Sequence, residues 1–314
     1  MMMMNSLKAA ETLLTYDGLL IITHKNPDGD TLCSAAALCS AMRRAGRRAY
    51  LYPNPQITER YLPYVQQYFA PEEFKPRYYV AVDVAAEDMF CRGFNGNVDF
   101  CVDHHPSNPH YAVGDYIVPE YSSCGEIVCE LIEQMNGDLT HEEANLIYIA
   151  LTTDTGCFCH TNTNAHSFQT AARLTEYGAD IGEINRKFFK KASAARIKLE
   201  SMIYSQMKLY ENGELVVAKV TQDMMKEAGA TENDCDDLAD LPTRVESERI
   251  AVLIREQDNG SSKLSVRSCE GIDSSKICAV FGGGGHYLAS GCTINTSPDR
   301  AEKLIVDVIR EAMK

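Results

Sequence analysis

The chain carries no surplus of positive charge. Lysine and arginine total 30 against 44 aspartates and glutamates, a formal net charge of −14 over 314 residues. A balance of that sign excludes coating long nucleic acid by bulk charge. Any phosphate binding must come from local cations, either bound metal or clustered arginine and lysine. Long apolar runs are missing too. None approaches the ~18 residues a membrane span needs, and the opening Met1 to Met4 leads into no apolar segment of the kind a signal peptide carries. Twelve cysteines are present, yet no Cys-x-x-Cys pair; the nearest spacing is Cys157-Phe158-Cys159. A disulfide framework is not indicated. Cys39, Cys129 and Cys278 sit among apolar neighbours and read as small core residues, which places the protein in the reducing cytoplasm. There is no internal repeat and no low-complexity tract.

What is present is an ordinary folding composition, 45% hydrophobic and 24% charged, in a length that suggests two domains. Residues 18–24 (GLLIITH) read as a buried parallel strand. A helix is expected from about Thr31 to Ala45, with Leu32, Ala35, Ala36 and Cys39 inward and Gly46 ending it. Residues 78–84 and 98–103 read as further strands, ending near Asp83 and Asp103. Ser123 with Glu126 and Thr140 with Glu143 have capping-box spacing; the first helix turns Val128, Leu131, Ile132 and Met135 inward, and the second runs toward Asp154. Strands alternating with helices predict an α/β fold with a doubly wound, mostly parallel sheet. The rhythm changes after Gly178. A polar, helical stretch over about 181–207 precedes β-rich segments, two of which flank the hairpin signal Asp258-Asn259-Gly260. We therefore expect an N-terminal domain over 1–187, a helical connector over 188–207, and a smaller α/β domain with a mixed sheet over 208–314. Asp234, Asp236, Asp237 and Asp240 lack calcium-loop spacing and read as a solvated acidic loop. Ser297 is expected to cap a last amphipathic helix carrying Leu304, Ile305, Val308 and Ile309.

The polar residues at predicted strand ends are His24, Asp28, Asp30, Asp83, Asp103, His104 and His105, with Asp154 closing a helix. Alone, each has a bland reading: His24 a packed histidine, Asp28 a turn residue, Asp83 a helix cap. In an open α/β sheet, however, ligands bind outside the carboxyl ends of the strands, so these groups should converge. Carboxylates gathered without cations repel. One or two divalent metals remove that repulsion, and oxygen ligands with a few imidazoles suit Mn²⁺ or Mg²⁺. Two metals close together fit phosphoryl chemistry. His110, His141 and His166 read as ordinary surface or packing histidines, and His160, six residues after Asp154, as a weaker candidate for lining a cleft.

Four of these segments, HKNPDGD, VDVA, VDHHPSN and TTDTGCF, resemble in order and spacing the motifs of the DHH phosphoesterase family. The C-terminal KLSVRS and FGGGGHYLASG resemble that family's DHH-associated domain, so the resemblance spans roughly 18 to 293. It implies that His24 and Asp28 bind one metal, Asp30 and His104 the other, that Asp83 bridges both, and that Asp154 completes the cluster. His105 would act as general acid, Asp103 would orient its neighbours, and Asn108 would help hold substrate. In the second domain Arg267, Ser268, Gly282, Gly283, Gly284, Gly285 and His286 would grip it. Physically, consecutive glycines let backbone amides approach phosphate, a helix beginning nearby adds its dipole, and arginine offers a planar fork. Two departures from the family pattern, Cys33 where glycine is usual and Ser290 in Ala289-Ser290-Gly291, touch no expected ligand.

The expected activity is hydrolysis of short 5′-phosphorylated oligoribonucleotides, including linear dinucleotides such as pApA, to mononucleotides, and of the bisphosphate pAp to AMP and phosphate. The expected cofactor is two divalent ions, Mn²⁺ before Mg²⁺. Partners would be the substrate and, by resemblance alone, a second copy in a homodimer, with neither membrane nor long nucleic acid. The competing expectations are a manganese inorganic pyrophosphatase, a RecJ-like exonuclease, and a non-catalytic nucleotide-binding regulator.

Overall fold

A computed structural model describes residues 4–235 and 237–313. It divides into two compact units, 1–191 and 192–314. No helix among the described residues is long and apolar enough to cross a membrane.

The first unit begins with α1 (Ser6–Leu14), β1 (Leu19–Ile22), α2 (Gly29–Arg44), β2 (Ala49–Leu51), α3 (Leu62–Val65) and β3 (Tyr78–Val82). It continues with β4 (Phe100–Asp103), β5 (Gly114–Ile117), α4 (Cys124–Asn136), α5 (His141–Asp154), α6 (Ala165–Glu176) and α7 (Ile181–Asn185), then a π-helical turn, Arg186–Lys190. The five strands pair in parallel in the order β2-β1-β3-β4-β5. Successive strand residues face opposite sides. Leu19, Ile21, Val80, Val82, Phe100 and Val102 pack with α1, α2, α4 and α5. Leu20, Ile22, Ala81 and Cys101 face instead a layer of loop residues that includes Phe74, Phe90, Phe94 and Tyr111. Both capping boxes form, and Gly46 (φ 80°) and Gly137 (φ 82°) take the left-handed conformation just past α2 and α4. Met135 is only partly buried.

The second unit holds α8 (Ala194–Gln206), β6 (Lys208–Tyr210), β7 (Leu215–Val220), α9 (Gln222–Ala228), β8 (Ile250–Glu256) and β9 (Ser262–Ser268). It ends with α10 (Ser274–Ala279), β10 (Gly284–Gly285), β11 (Ala289–Ile294) and α11 (Pro298–Ala312). Its six-stranded sheet, β10-β11-β9-β8-β7-β6, is antiparallel except for the β7–β8 pair. Helices α10 and α11 cover one face, while α8 and α9 cover the other. Leu199 and Ile203 of α8 are fully buried there. The stretch expected as a connector, 188–207, thus contributes a helix to this core, because α8 has an apolar stripe that only the sheet can cover. Gly260 (φ 77°) closes the β8–β9 hairpin. In α11, Leu304 is 39% exposed and Val308 only partly buried. The inward stripe is Ala301, Ile305, Val306 and Ile309. Ser297 stands at the N-cap without a capping hydrogen bond, and Pro298 starts the helix. In the acidic loop Asp240 pairs with Arg267 at 3.4 Å; Asp236 lies outside the described residues.

Glu248 has a buried Oε1 with no hydrogen-bond partner among the described residues, and burial pushes its carboxyl up to about 7. A carboxyl raised on folding favours the folded state below its unfolded value, ~4.3, and loses that contribution as pH rises through about 7. Glu248→Gln is therefore expected to raise Tm by a few degrees at pH 8 and to leave it unchanged at pH 4, as read by thermal melts at the two values.

Candidate metal centre

In the strand order of the first sheet, β1 and β3 are neighbours whose connections leave in opposite directions along the sheet. A crevice opens at the carboxyl ends of two such strands. His24 follows β1, bridged to Phe90. Asp83 follows β3 at φ 58°, a left-handed conformation that aspartate tolerates better than most residues. Asp103 is the last residue of β4, and His104 and His105 come directly after it. Asp28 caps α2 by accepting from the Thr31 amide at 3.1 Å, and Asp30 lies in that helix's first turn.

Asp30 is 1% exposed, and its carboxylate rests on the start of α4. It accepts from the amides of Cys124 (2.7 Å) and Gly125 (2.9 Å) and from the Ser34 hydroxyl (2.9 Å). The helix dipole favours an anion there. Asp154 arrives from the end of α5, which must pass close to α2. Gly29 makes room: a β-carbon on it would lie 2.4 Å from Thr153 Oγ1. Gly125 does the same for α4, where a β-carbon would lie 2.8 Å from that of Ala150.

The structure brings all six expected ligands together. They form two groups, His24 with Asp28 and Asp83, and Asp30 with His104 and Asp154, each with donor atoms within 4.8 Å of one another. Asp83 also groups with His104 and His105, so it faces both sets. Its Oδ2 is 3.7 Å from His24 Nε2, and its Oδ1 is 3.4 Å from His104 Nε2. The Nδ1 of His24 lies 2.8 Å from the Lys25 carbonyl and that of His104 3.2 Å from the Tyr121 carbonyl. Donation of Nδ1–H to those oxygens leaves each Nε2 as a bare lone pair toward the carboxylates, the tautomer a metal ligand needs.

The electrostatics describe a centre short of positive charge. Burial, reinforced by Asp83 and Asp154, holds Asp30 well above the usual carboxylate range. Asp154 is pushed up to about 7 by burial, with His104 opposing and Asp83 and Asp28 adding. Burial disfavours charge on His24, yet Asp28 and Asp83 outweigh it and lift the ring to about 9. The cluster draws in protons where no other cation balances it. Asp83 Oδ1 is meanwhile buried with no hydrogen-bond partner among the described residues. An orphaned carboxylate oxygen between two imidazoles, in a proton-hungry cluster without thiolate, fits a hard divalent cation.

Around this cluster the supporting residues are fully used. Asp103 is buried; its Oδ1 accepts from the His104 amide (2.8 Å) and from His105 Nδ1 (2.7 Å), and its Oδ2 accepts from Asn108 Nδ2 (2.6 Å). Burial works against the His105 charge, but Asp103 and Asp83 raise the ring above its ordinary value. Asn108, expected at the substrate, is buried and also accepts from the His110 amide at 2.9 Å. Its amide group is committed to Asp103 and to the turn after His105, so it positions those residues. His160 places Nδ1 3.2 Å from the Asp154 carbonyl and covers Gly156, holding the turn that follows α5. His110, His141 and His166 pair with Asp115, Asp180 and Glu126.

In the second unit, Arg267 and Ser268 end β9, and the Ser268 hydroxyl donates to the Ile272 carbonyl at 2.8 Å. The glycine run lies at the C-terminal end of α10, contrary to the expected helix beginning. The amides of Gly282 and Gly283 donate to the carbonyls of Ala279 and Cys278, both at 3.0 Å, and the His286 amide to Ala289 at 2.8 Å. These amides close the helix and the turn, so they are not a phosphate cradle. Gly283 and Gly285 are glycines because β11 approaches so closely: a β-carbon would lie 2.2 Å from the Gly291 carbonyl oxygen and 2.7 Å from that of Ala289, respectively. Arg267 pairs with Asp240 at 3.4 Å, and the surface at Gly284 is open.

Residues 19–151 match the model of the DHH family, N-terminal domain, and residues 212–314 match that of the DHHA1 domain. The chain is 32% identical to the bifunctional oligoribonuclease and PAP phosphatase NrnA of Thermus thermophilus, over 97% of this chain and 93% of that protein. The enzyme of the same name from Bacillus subtilis is 25% identical, over 95% of both chains. A crystal structure of an exopolyphosphatase-related protein from Bacteroides fragilis superposes with a TM-score of 0.87, covering 98% of this chain and 96% of that one at 22% identity, which supports the fold. The chain belongs to the DHH family of phosphoesterases, with a DHH domain followed by a DHHA1 domain.

Proposed function

We propose that the chain uses two divalent cations to hydrolyse short 5′-phosphorylated oligoribonucleotides, down to linear dinucleotides such as pApA, to mononucleotides, and pAp to AMP and phosphate. The observation that carries the reading is the pair of ligand groups joined through Asp83, whose Oδ1 has no hydrogen-bond partner among the described residues. The names of the relatives supply the substrate class. His24, Asp28 and Asp83 would hold one cation, and Asp30, His104 and Asp154, with Asp83 shared, the other. Oxygen and imidazole donors favour Mn²⁺, then Mg²⁺. Bound there, the cations would acidify a water and polarise phosphoryl oxygens.

The chain's own residues supply the rest. Asp103 fixes the His105 ring, and its charge together with that of Asp83 keeps the imidazolium available to protonate the leaving oxygen. Arg267 and His286 would hold a substrate phosphate through their side chains. The DHHA1 match disfavours the pyrophosphatase reading, since the manganese pyrophosphatases end in a domain of another type. Twelve free cysteines support work in a reducing cytoplasm.

The test is to incubate the purified protein with Mn²⁺ and pApA, with pAp and pyrophosphate in parallel, and to separate the products by chromatography. AMP is expected from both nucleotides, with phosphate from pAp and none after EDTA treatment. Turnover of pyrophosphate alone would overturn the substrate class. Tight nucleotide binding without turnover would turn the reading to the regulator.

A further inference from the structure

An acidic chain that handles phosphates needs local cations, and the first unit gathers them in one place outside the metal centre. Arg186, Lys187, Lys190 and Lys191 lie on and just after the π-helical turn, and all four are exposed. Among the described residues, none of the four has a carboxylate within ion-pair distance. Elsewhere in the chain many cations are paired, including Arg44, Arg48, Arg173, Arg196 and Lys219.

Aromatic rings interleave with these cations. Phe188 is buried and anchors the turn, 5.8 Å from Tyr61 and 5.7 Å from Tyr64, centroid to centroid. Arg60 donates to the Phe188 carbonyl at 2.9 Å and sits over the Phe188 ring. Lys187 lies over Tyr64, with Nζ 4.5 Å from the centroid. Tyr64 and Phe189, beside these cations, are only partly buried. Partly exposed rings among unpaired cations are the recurring surface for a single nucleic-acid strand, which stacks bases and tracks phosphates there.

The turn also lies toward the metal centre. Contacts along α5 run from His141 with Asp180 to Tyr148 with Asn185, one residue before the turn, so the chain climbs toward Asp154. Lys190 is near enough for the Cys157 thiol, three residues past Asp154, to feel its charge. On the other flank Gln56 bonds Asn26, two residues from His24, and Arg60 follows four residues later.

We propose that Arg186, Lys187, Lys190 and Lys191, with the faces of Tyr64 and Phe189, form a second anchoring site for the phosphates and bases of an oligoribonucleotide beyond the nucleotide at the metal centre. It rests on the proposed function for its ligand, and it makes chain length a determinant of affinity. Under this proposal a tetranucleotide must reach the site and a dinucleotide must fall short of it.

Binding tests this apart from turnover. Fluorescence anisotropy with 3′-labelled, 5′-phosphorylated tetraadenylate and diadenylate, in EDTA, compares the natural protein with Lys187→Gln, Lys190→Gln and Lys191→Gln combined. A second variant, Lys75→Gln, Lys226→Gln and Lys303→Gln combined, removes the same charge from exposed positions elsewhere. The first variant is expected to bind the tetranucleotide about 10-fold more weakly, with a salt slope shallower by about 2, because each lost phosphate contact removes ~0.7. The second is expected to bind it as the natural protein does. Equal losses in both variants, or equal affinity of the natural protein for the two lengths, would overturn the site. Failure of the natural protein to hydrolyse either nucleotide would refute the proposed function without altering these binding results.

Discussion

Asp83→Asn is expected to lower hydrolysis at least ~1,000-fold, the largest loss of any single substitution in the centre. The side chain faces both ligand groups, within 3.7 Å of His24 and 3.4 Å of His104. In the proposed two-cation centre the loss of a ligand shared by both would loosen both, and a few kcal/mol of lost transition-state stabilisation corresponds to about that factor. Asparagine is chosen because residue 83 sits at φ 58°, where alanine would add backbone strain. Activity is only one readout. Asp83 is among the charges that raise Asp30 and Asp154, so the neutral amide relieves crowding. Metal-free Asp83→Asn is therefore expected to melt above the metal-free natural protein. Adding Mn²⁺ is expected to raise the natural protein's Tm by several degrees, since saturating ligand at 100 times its Kd contributes ~2.7 kcal/mol, and to leave the variant's unchanged. A variant that keeps the metal-induced rise would show that Asp83 is not a shared ligand.

The second large effect is expected from one methyl group outside the ligand set. In Gly29→Ala the new β-carbon would lie 2.4 Å from Thr153 Oγ1, 2.7 Å from Cγ2 and 2.9 Å from Cβ. Helix propensity favours alanine by at most ~1 kcal/mol, and less in the first turn. Overpacking costs about 1–3 kcal/mol, so the clash decides the sign. Net destabilisation of about 2 kcal/mol is expected in urea titrations. The loss of activity should exceed that, at about 100-fold. The α2–α5 crossing sets the distance from Asp28 and Asp30 to Asp154, and a shift of ~1 Å in such a constellation costs about two decades in rate. Adding Thr153→Ala removes two of the three clashing atoms and is expected to restore most of both. Unchanged activity in Gly29→Ala would mean the crossing has slack.

Much of this molecule is legible from one dimension. Strand ends, capping boxes, the hairpin turn and the helix-ending glycines depend on residues within a few positions of one another, and they stand where periodicity and turn chemistry place them. The candidate ligands were legible as well, because each follows an element whose end could be read locally. Other features required the chain to meet itself. The order β2-β1-β3-β4-β5 sets His24 beside Asp83, though 58 residues separate them. Asp30 settles on the amides of a helix that begins 94 positions later. Asn108, expected at the substrate, gives its amide to Asp103, and within the glycine run the amides of Gly282 and Gly283 close α10. Local spacing determines which groups are available and where an element stops. Which buried donor meets which acceptor, and which glycine is a glycine for lack of room, is decided by close packing between distant segments, where tenths of an ångström count.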